Sequence, residues 1–385
     1  MSERNAANPS RSNSTSGSRQ PAYSTLVNPV GGRLRVNYVL GSPVPPKSGY
    51  GKYALTVLAE LLRLHKLQVR AIRSHFPLNF PYRNMLLDFS STPAKTLLHS
   101  QGAITHASSQ GLAFLGLLGV RPFIVTAYDA IPFALKEEHK SPAKSGLLSL
   151  MRKGLKRADA IITISKFSKS ELVKHAGLDA SCIHVAYPGV DHAVFKPLAS
   201  AKPDSNTILY VGSEQPRKNT GVLLEAFAKA RKRLPGLRLL KVGSPQWRGG
   251  RKAFLSKARE LGVEGAIDFS EGQSESELAA VYRSAGALVF PSTYEGFGLP
   301  PLEAMACGLP VICSNAASLP EVVGKAAITL QPHDVDGFAK AIVAVLTSAR
   351  KRTAMRAAGL KQARKFSWQK AAADTLRVYE TVARG

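Results

Sequence analysis

The sequence contains few cysteines, which limits the classes of protein that it can encode. Its 385 residues include three, Cys182, Cys307 and Cys313. Their odd number and wide spacing exclude a disulfide framework and match no zinc-binding pattern. Apolar runs are short as well: the best candidate begins at Gly111 and ends before Arg121, so we expect no transmembrane helix. Gly-x-Ser-x-Gly and His-Glu-x-x-His motifs do not occur, so hydrolase and metalloprotease chemistry have no support.

Acidic residues are scarce relative to basic ones. Against 52 Lys and Arg the chain has 26 Asp and Glu, which gives a net charge of +26. Residues 1–200 carry 25 basic and 10 acidic residues, and residues 201–385 carry 27 and 16, so the excess is not one nucleic-acid-binding arm. A field of this size attracts nucleic acid, anionic lipid or phosphorylated substrates, or it serves solubility alone. The net charge alone does not distinguish among these possibilities.

Strands and helices alternate along the chain, which predicts an α/β fold with doubly wound parallel sheets. The expected strands are Arg33–Leu40, Leu67–Ile72, Thr96–His99, Phe123–Ala127 and Ala160–Ile164, then Thr207–Val211, Leu237–Val242, Ala266–Phe269, Ala287–Phe290 and Val311–Cys313. The alternation pauses at 187–204, a stretch with three prolines, and this pause indicates two domains. Ligands are expected in the cleft at the carboxyl ends of the strands. Ser168 with Glu171, and Ser274 with Glu277, have the spacing of capping boxes.

Gly49 and Gly51 stand between a strand and a helix in a G-x-G-x-x-A pattern. A dinucleotide site would also need an acid at the end of the second strand, where this sequence has Arg73 and His75. The pattern therefore favours backbone amides that approach an anion at a helix N-terminus. Plain turn glycines are the alternative.

The segment from Glu295 to Glu303 carries more information. It follows an apolar strand, its glycines permit unusual backbone conformations, and its paired prolines favour a helix start, which we place at Pro301–Cys307. Glu303 then lies in the first helical turn, eight residues after Glu295. The turn would hold a diphosphate, and Glu303 would accept hydrogen bonds from a ribose diol. The alternative for Glu303 is that its negative charge only complements the dipole of the helix and binds no ribose.

These residues resemble a known family. Glu295–Glu303, with Pro291-Ser292 before and 304–312 after, is similar to the E-x7-E signature of the retaining glycosyltransferases of family 4. Further similarities are to their diphosphate loop at 210–219, interdomain connection at 189–197, serine motif at 165–168 and closing helix from 366. The resemblance covers roughly residues 31–385.

This resemblance implies the GT-B fold, with two Rossmann-like parallel-sheet domains that face a cleft and a C-terminal helix that returns to the N-terminal domain. The expected divisions are a disordered tail at 1–24, an acceptor-side domain at 25–195, a nucleotide-sugar-binding domain at 196–365 and the closing helix at 366–385. The tail lacks the apolar segment of a secretory signal. We therefore expect a cytoplasmic protein, or one on the cytoplasmic face of a membrane.

The resemblance also implies roles for individual residues. Arg217 and Lys218 would neutralise the leaving diphosphate, so neither a metal nor another cofactor is expected. Glu295 would contact the donor sugar, and Glu303 the ribose. The other donor-binding candidates are Gly49, Gly51, Gly212, Phe297, Gly298 and Leu299.

One departure from the family concerns the end of the fourth strand. Family members often carry His-Asp there, whereas this chain has Tyr128-Asp129. Asp129 is counted with Glu295, Arg217 and Lys218 as a catalytic candidate. A tyrosine has a different reach and no cationic form, which puts its sugar contact in doubt. His99 and His106 are candidate substitutes, although a lone histidine is more often structural.

The sequence thus predicts a retaining glycosyltransferase that moves a hexose, mannose as the first choice, from a nucleotide-diphosphate sugar to a lipid-linked, polysaccharide or small acceptor. The basic helix around Lys144–Arg157 either lies on anionic lipid or is a solvated face over a core. The alternatives for function are a non-catalytic nucleotide-sugar binder, an epimerase of the same architecture, and a nucleic-acid-binding protein. Nothing but charge favours the last, so no nucleic-acid partner is expected.

Overall fold

The computed structural model describes residues 32–41, 48–73, 92–135, 142–200, 203–245, 247 and 249–384. Two parallel sheets of six strands each organise these residues. The tail expected at 1–24 lies outside the described residues. Within the described ranges, no helix is both long and apolar enough to cross a membrane.

The first sheet has the strand order β2-β1-β3-β4-β5-β6, and all of its pairings are parallel. Its strands are β1 (Leu34–Gly41), β2 (Leu67–Arg73), β3 (Ile104–Ala107), β4 (Phe123–Thr126), β5 (Ala160–Thr163) and β6 (Ile183–Val185). Its helices are α1 (Gly49–Leu62), α2 (92–99), α3 (Ile131–Ala134), α4 (Pro142–Leu155) and α5 (Lys166–Ala176), with a 3₁₀ segment at Gln110–Leu118. Strands β3, β4 and β5 are buried along their whole length, as expected for a sheet covered on both faces.

The second sheet has the order β12-β11-β10-β7-β8-β9. Its strands are β7 (Asp204–Val211), β8 (Arg238–Val242), β9 (Ile267–Ser270), β10 (Ala285–Phe290), β11 (Val311–Ser314) and β12 (Ile328–Leu330). Its helices are α6 (Thr220–Arg233), α7 (Gly250–Glu260), α8 (Glu275–Ser284), α9 (Leu299–Ala306), α10 (Leu319–Val323), α11 (Val335–Leu346) and α12 (Ala349–Ala363). Neighbouring β7 and β10 are the point at which the winding of the sheet reverses direction.

The last helix, α13 (Trp368–Arg384), returns to the first sheet, as the sequence predicted. Its buried side packs with α1 and the sheet in one hydrophobic cluster that includes Tyr53, Trp368 and Tyr379. The Tyr379 hydroxyl also meets Nδ1 of His106 on β3 at 2.6 Å. The C-terminal end of the chain therefore completes the core of the N-terminal half.

Some local predictions were wrong. Residues 92–99 are helical rather than a strand at 96–99, and the third strand is β3. Helix α5 is capped by Ser165, whose Oγ accepts from Ser168 N, so the expected capping box at Ser168 and Glu171 does not form. The capping box of Ser274 and Glu277 is present at α8.

The close approach of two backbone segments makes Gly189 sensitive to substitution. A Cβ on Gly189 would lie 2.2 Å from Ser367 C and 2.2 Å from Trp368 N, where α13 begins. We expect Gly189→Ala to destabilise the protein by about 3 kcal/mol, because backbone rather than a flexible side chain must move. The midpoint of urea unfolding measures this effect. Gly221→Ala is the matched control, since a Cβ there meets nothing within 4 Å; equal midpoints for the two variants would contradict the prediction.

Candidate active site

The candidate site lies where the second sheet reverses its winding. Strand β7 leads into the turn that contains Arg217 and Lys218, and β10 leads into the segment that contains Glu295. Because β7 and β10 are neighbouring parallel strands, both segments leave the sheet at the same edge. Ligands of open α/β sheets bind outside such a reversal point.

Hydrogen bonds to backbone carbonyls fix the Arg217-Lys218 turn against the segment after β10. Thr293 N donates to Arg217 O at 2.8 Å. Asn219, in a left-handed conformation with φ of 55°, donates from Nδ2 to Pro291 O at 3.1 Å and to Pro332 O at 2.6 Å. These contacts fix the position of the turn relative to Glu295 without the side chains of Arg217 and Lys218.

Two cations share one buried carboxylate at this point. Lys218 Nζ lies 2.6 Å from Glu295 Oε1, and an Arg217 guanidinium nitrogen lies 3.0 Å from Glu295 Oε2. Burial works against the ionised carboxyl, but Lys218 and Arg217 together hold the pKa of Glu295 below its ordinary value. Burial lowers the pKa of Lys218, with Arg217 acting in the same direction and Glu295 against it. Glu295 uses only part of the donor capacity of the two cations, which leaves N–H groups of Arg217 and Lys218 for a phosphate next to amide-rich backbone.

Both halves of the chain hold the turn after Glu295. Ser165 Oγ and Ser168 Oγ, from the start of α5, donate to Gly296 O at 2.7 and 3.0 Å. Ser318 Oγ, which precedes α10, contacts the carbonyls of Glu295 at 2.9 Å and Phe297 at 2.6 Å. The serine motif gave the location of the first two, whereas no sequence signal marked Ser318.

Gly298 has φ of 116° and caps α9, which begins at Leu299. The helix therefore starts two residues earlier than expected. The prediction that Glu303 lies in the first turn of this helix was therefore wrong, because Glu303 is its fifth residue. At this position an interaction with the helix dipole explains the acid poorly. Glu303 is buried, and Oε2 accepts from the Tyr282 hydroxyl at 3.0 Å while Oε1 lies 2.8 Å from Lys52 Nζ. Sequence analysis missed Tyr282 and Lys52; Lys52 stands one residue after Gly51.

Asp129, after β4, lies against the same turn from the other sheet. A Cβ on Gly296 would be 3.1 Å from Asp129 Oδ2, so only glycine fits there without displacing the carboxyl. Burial raises the pKa of Asp129 to about 6, although Ile131 N–H, which donates to Oδ1 at 3.0 Å, acts in the opposite direction. The structure thus brings all four catalytic candidates together: Asp129, Glu295, Arg217 and Lys218.

This raised pKa predicts a pH-dependent stability. The folded state binds a proton at Asp129 between about pH 4 and 6 that the unfolded state has released, so this group lowers stability as the pH rises through that range. At pH 8 we expect Asp129→Asn to be more stable than wild type by roughly 2 kcal/mol, and the gain to vanish near pH 4. Urea unfolding at several pH values measures it. Asp268→Asn is the control: because Arg238 lowers the pKa of Asp268, this substitution should reduce the free energy of unfolding at pH 8. If the stability gained by Asp129→Asn did not change with pH, the assignment would be contradicted.

The aromatic neighbour of Asp129 is engaged elsewhere. The Tyr128 hydroxyl donates to Ser108 O at 2.6 Å, and its ring meets that of Tyr53 edge to face at 5.5 Å between centroids. The two histidines lie apart from the turn. His106 is buried between Tyr379 and Thr126, and burial lowers its pKa to about 3. The carbonyl of His99 accepts from the Asn37 side chain, and its ring meets Arg70 on the outer strand β2.

The remaining glycine candidates lie in the first turn of α1 and in the loop after β7. Gly49 is the first residue of α1, and Gly51 N donates to Ser48 Oγ at 3.1 Å. A Cβ on Gly212 would lie 3.0 Å from the Tyr210 hydroxyl, and one on Gly243 would lie 3.0 Å from Gly212 O, so the loops after β7 and β8 touch through glycine. In the described part of the chain, no three His, Cys, Asp or Glu side chains are grouped closely enough to hold a metal ion.

The fold and the site define the class of protein: two parallel six-stranded sheets meet near the ends of their strands, as in the GT-B glycosyltransferases. Among solved structures, sucrose-phosphate synthase from Thermosynechococcus elongatus superposes with a TM-score of 0.74 at 22% identity, over 91% of this chain and 99% of that chain. The Anabaena protein Alr3699/HepE, solved with UDP and glucose, gives 0.70 at 19% identity, over 91% and 100%.

Sequence comparison identifies the family. The model described as "Glycosyltransferase Family 4" matches residues 38–194, and that described as "Glycosyl transferases group 1" matches 195–362. The O-antigen chain mannosyltransferase B of Escherichia coli is 34% identical over 272 residues, which are 67% of this chain and 70% of that protein. Matches to further curated relatives span about half of their length. The chain belongs to the family 4 glycosyltransferases.

Proposed function

We propose that this glycosyltransferase moves a hexose from a nucleotide-diphosphate sugar to its acceptor with retention of the anomeric configuration. The observation that carries the proposal is the pairing of Arg217 and Lys218 with buried Glu295 at the point where the second sheet reverses. A diphosphate leaving group gains negative charge as the glycosidic bond breaks, and two fixed cations stabilise that charge. The UDP bound to the Anabaena structure supports a nucleotide as the donor's leaving portion.

The residues of the cluster have distinct tasks in this mechanism. The planar guanidinium of Arg217 and the point charge of Lys218 bind diphosphate oxygens. When the donor binds, these two cations give up contacts with Glu295 for contacts with the diphosphate, and Glu295 contacts the sugar. The departing phosphate takes the proton of the acceptor hydroxyl on the same face of the sugar. Chemistry of this kind depends on position and charge, and we propose that it proceeds without a metal ion.

The preferred donor is GDP-mannose. Its support is the similarity to the Escherichia coli mannosyltransferase, which extends over two thirds of this chain. UDP-glucose remains the competing donor, because the cation pair binds the diphosphate that both share.

For the acceptor we propose a lipid-linked glycan at an anionic membrane face. Helix α4 and the two residues that follow it carry five exposed basic side chains, Lys144, Arg152, Lys153, Lys156 and Arg157. Three exposed leucines, Leu117, Leu118 and Leu147, lie on α4 and on the 3₁₀ segment that packs against it. A segment that combines exposed basic side chains with exposed leucines suits the surface of an anionic bilayer. Co-sedimentation with phosphatidylglycerol vesicles, but not phosphatidylcholine vesicles, is the expected result.

Donor binding is the first test of the proposal. Purified protein is heated with GDP-mannose, UDP-glucose, UDP-N-acetylglucosamine or the bare diphosphates, in EDTA. A bound donor raises the unfolding temperature by mass action. The effective donor is then used with lipid-linked acceptors, and NMR of the product gives the anomeric configuration. An inverted product would refute retention, loss of binding in EDTA would refute metal independence, and binding without transfer or hydrolysis would indicate a non-catalytic relative.

A further inference from the structure

One lysine in the first half of the chain contacts Glu303, the candidate for ribose binding in the second half. Lys52, the fourth residue of α1, places Nζ 2.8 Å from Glu303 Oε1 and 2.8 Å from Glu275 Oε1 at the start of α8. The same ammonium lies 4.8 Å from the centroid of the Phe195 ring, which is fully buried. The Lys52 side chain is 15% exposed, so it is well shielded from solvent.

The stability of α1 does not explain this lysine. A positive charge near a helix N-terminus opposes the helix dipole, and the first turn of α1 contains no acidic residue. The helix already has an N-cap in Ser48, and its buried face is formed by other residues, among them Tyr53, Val57 and Leu61. Burial also disfavours the ammonium, yet Glu303 and Glu275 outweigh it and raise the pKa of Lys52. The contacts that compensate for the position of Lys52 therefore come from the other half of the chain.

Lys52 also controls how Glu303 can act. Tyr282 binds one carboxylate oxygen and Lys52 the other, so both oxygens have fixed directions. An ionised carboxylate has about four lone-pair sites, which leaves acceptor capacity on each oxygen for a diol. At the same time, the bond to Glu303 holds the N-terminal turn of α1, with Gly49 and Gly51, next to the nucleotide-binding residues.

We infer that Lys52 is a positioning residue of the donor site, which orients Glu303 toward the ribose and holds the N-terminus of α1 against the diphosphate. This inference rests on the proposed function, because it assigns the nucleotide of the donor to Glu303. It concerns binding of the donor and not the bond-breaking step. Loss of Lys52 should accordingly weaken donor binding far more than turnover at saturation.

The test compares Lys52→Met, which keeps the apolar stem, with Lys52→Arg, which keeps the charge. For Lys52→Met we expect the Kd of the nucleoside diphosphate and the KM of the donor to rise at least tenfold, while kcat changes less than threefold. Lys52→Arg should recover most of the affinity. Glu275→Gln should weaken binding about threefold, because the Glu275 side chain is 50% exposed. Lys229→Met is the matched control, since it breaks an exposed Lys–Asp336 pair away from the site.

Hydrogen exchange of the α1 peptide supplies a readout that is independent of activity. In wild type, added nucleoside diphosphate should slow exchange in residues 49–53, and in Lys52→Met this protection should be lost. Unchanged Kd and protection in a folded Lys52→Met would overturn the inference. Tighter binding by Lys52→Met would also overturn it, since Lys52 would then obstruct the ribose position. A wild type that binds no nucleotide at all would instead refute the proposed function, and with it the basis of this inference.

Discussion

Arg217→Ala is expected to lose about 10²- to 10³-fold in kcat, with a loss of only about 1 kcal/mol in folding stability. The guanidinium contacts Glu295 Oε2 and Tyr294 O, both at 3.0 Å, and Lys218 still neutralises the buried carboxylate when Arg217 is absent. The stability loss is therefore that of ordinary hydrogen bonds. Turnover falls further because removal of one preorganised donor from a developing negative charge typically costs about 3–4 kcal/mol of the barrier.

Steady-state kinetics and urea unfolding of the same preparations measure both quantities. Arg238→Ala is the matched control, because Arg238 binds Asp268 through two nitrogens at 2.6 and 2.7 Å on the exposed side of the second sheet. Its ion pair is as well formed, yet kcat should stay within twofold of wild type. If Arg217→Ala lost stability and turnover in equal measure, Arg217 would be a structural residue of the turn.

The parts of the site that the sequence located share one property. Arg217, Lys218 and Glu295 each follow an apolar strand within a few residues, and the carboxyl ends of neighbouring parallel strands meet at one edge. Their meeting therefore follows from local pattern and the rules of the fold. The same holds for Asp129 after β4, although its contact with Gly296 depends on how the two sheets face each other.

Contacts between distant segments could not be predicted in this way. His106 was expected to border the cleft, but in the structure Tyr379 of α13, 273 residues further along the chain, covers it. Lys52 and Glu303 are separated by 251 residues, and their approach depends on the relative position of two sheets. A single sequence carries no local pattern for either pair.

Errors in the secondary structure have local causes. The run Thr96-Leu97-Leu98-His99 is too short for its period to separate a strand from a helix. In the structure the Thr96 hydroxyl donates to Thr92 O at 2.7 Å, one helical turn earlier, which satisfies the polar group of a residue that otherwise favours strands. Strands β6 and β12, with three residues each, were too short to be predicted.

The second large effect is expected at Glu303. In Glu303→Gln, donor and nucleoside diphosphate should bind about 100-fold more weakly, roughly 3 kcal/mol, because a neutral amide offers one acceptor oxygen where the carboxylate offers two charged ones. The substitution preserves the side-chain volume next to Tyr282, so the fold should persist. Isothermal titration with the effective nucleotide measures the loss.

A deoxyribose nucleotide isolates the ribose contact from general damage to the site. Wild type should bind the 2′-deoxy diphosphate much more weakly than the ribose form, whereas Glu303→Gln should bind the two nearly alike, since the missing hydroxyl and the missing carboxylate belong to one interaction. Glu264→Gln, which breaks an exposed pair with Arg259, should retain wild-type affinity and discrimination. If Glu303→Gln lost affinity but still discriminated fully between the two sugars, Glu303 would support the site without contacting the ribose, and another residue would have to recognise the diol.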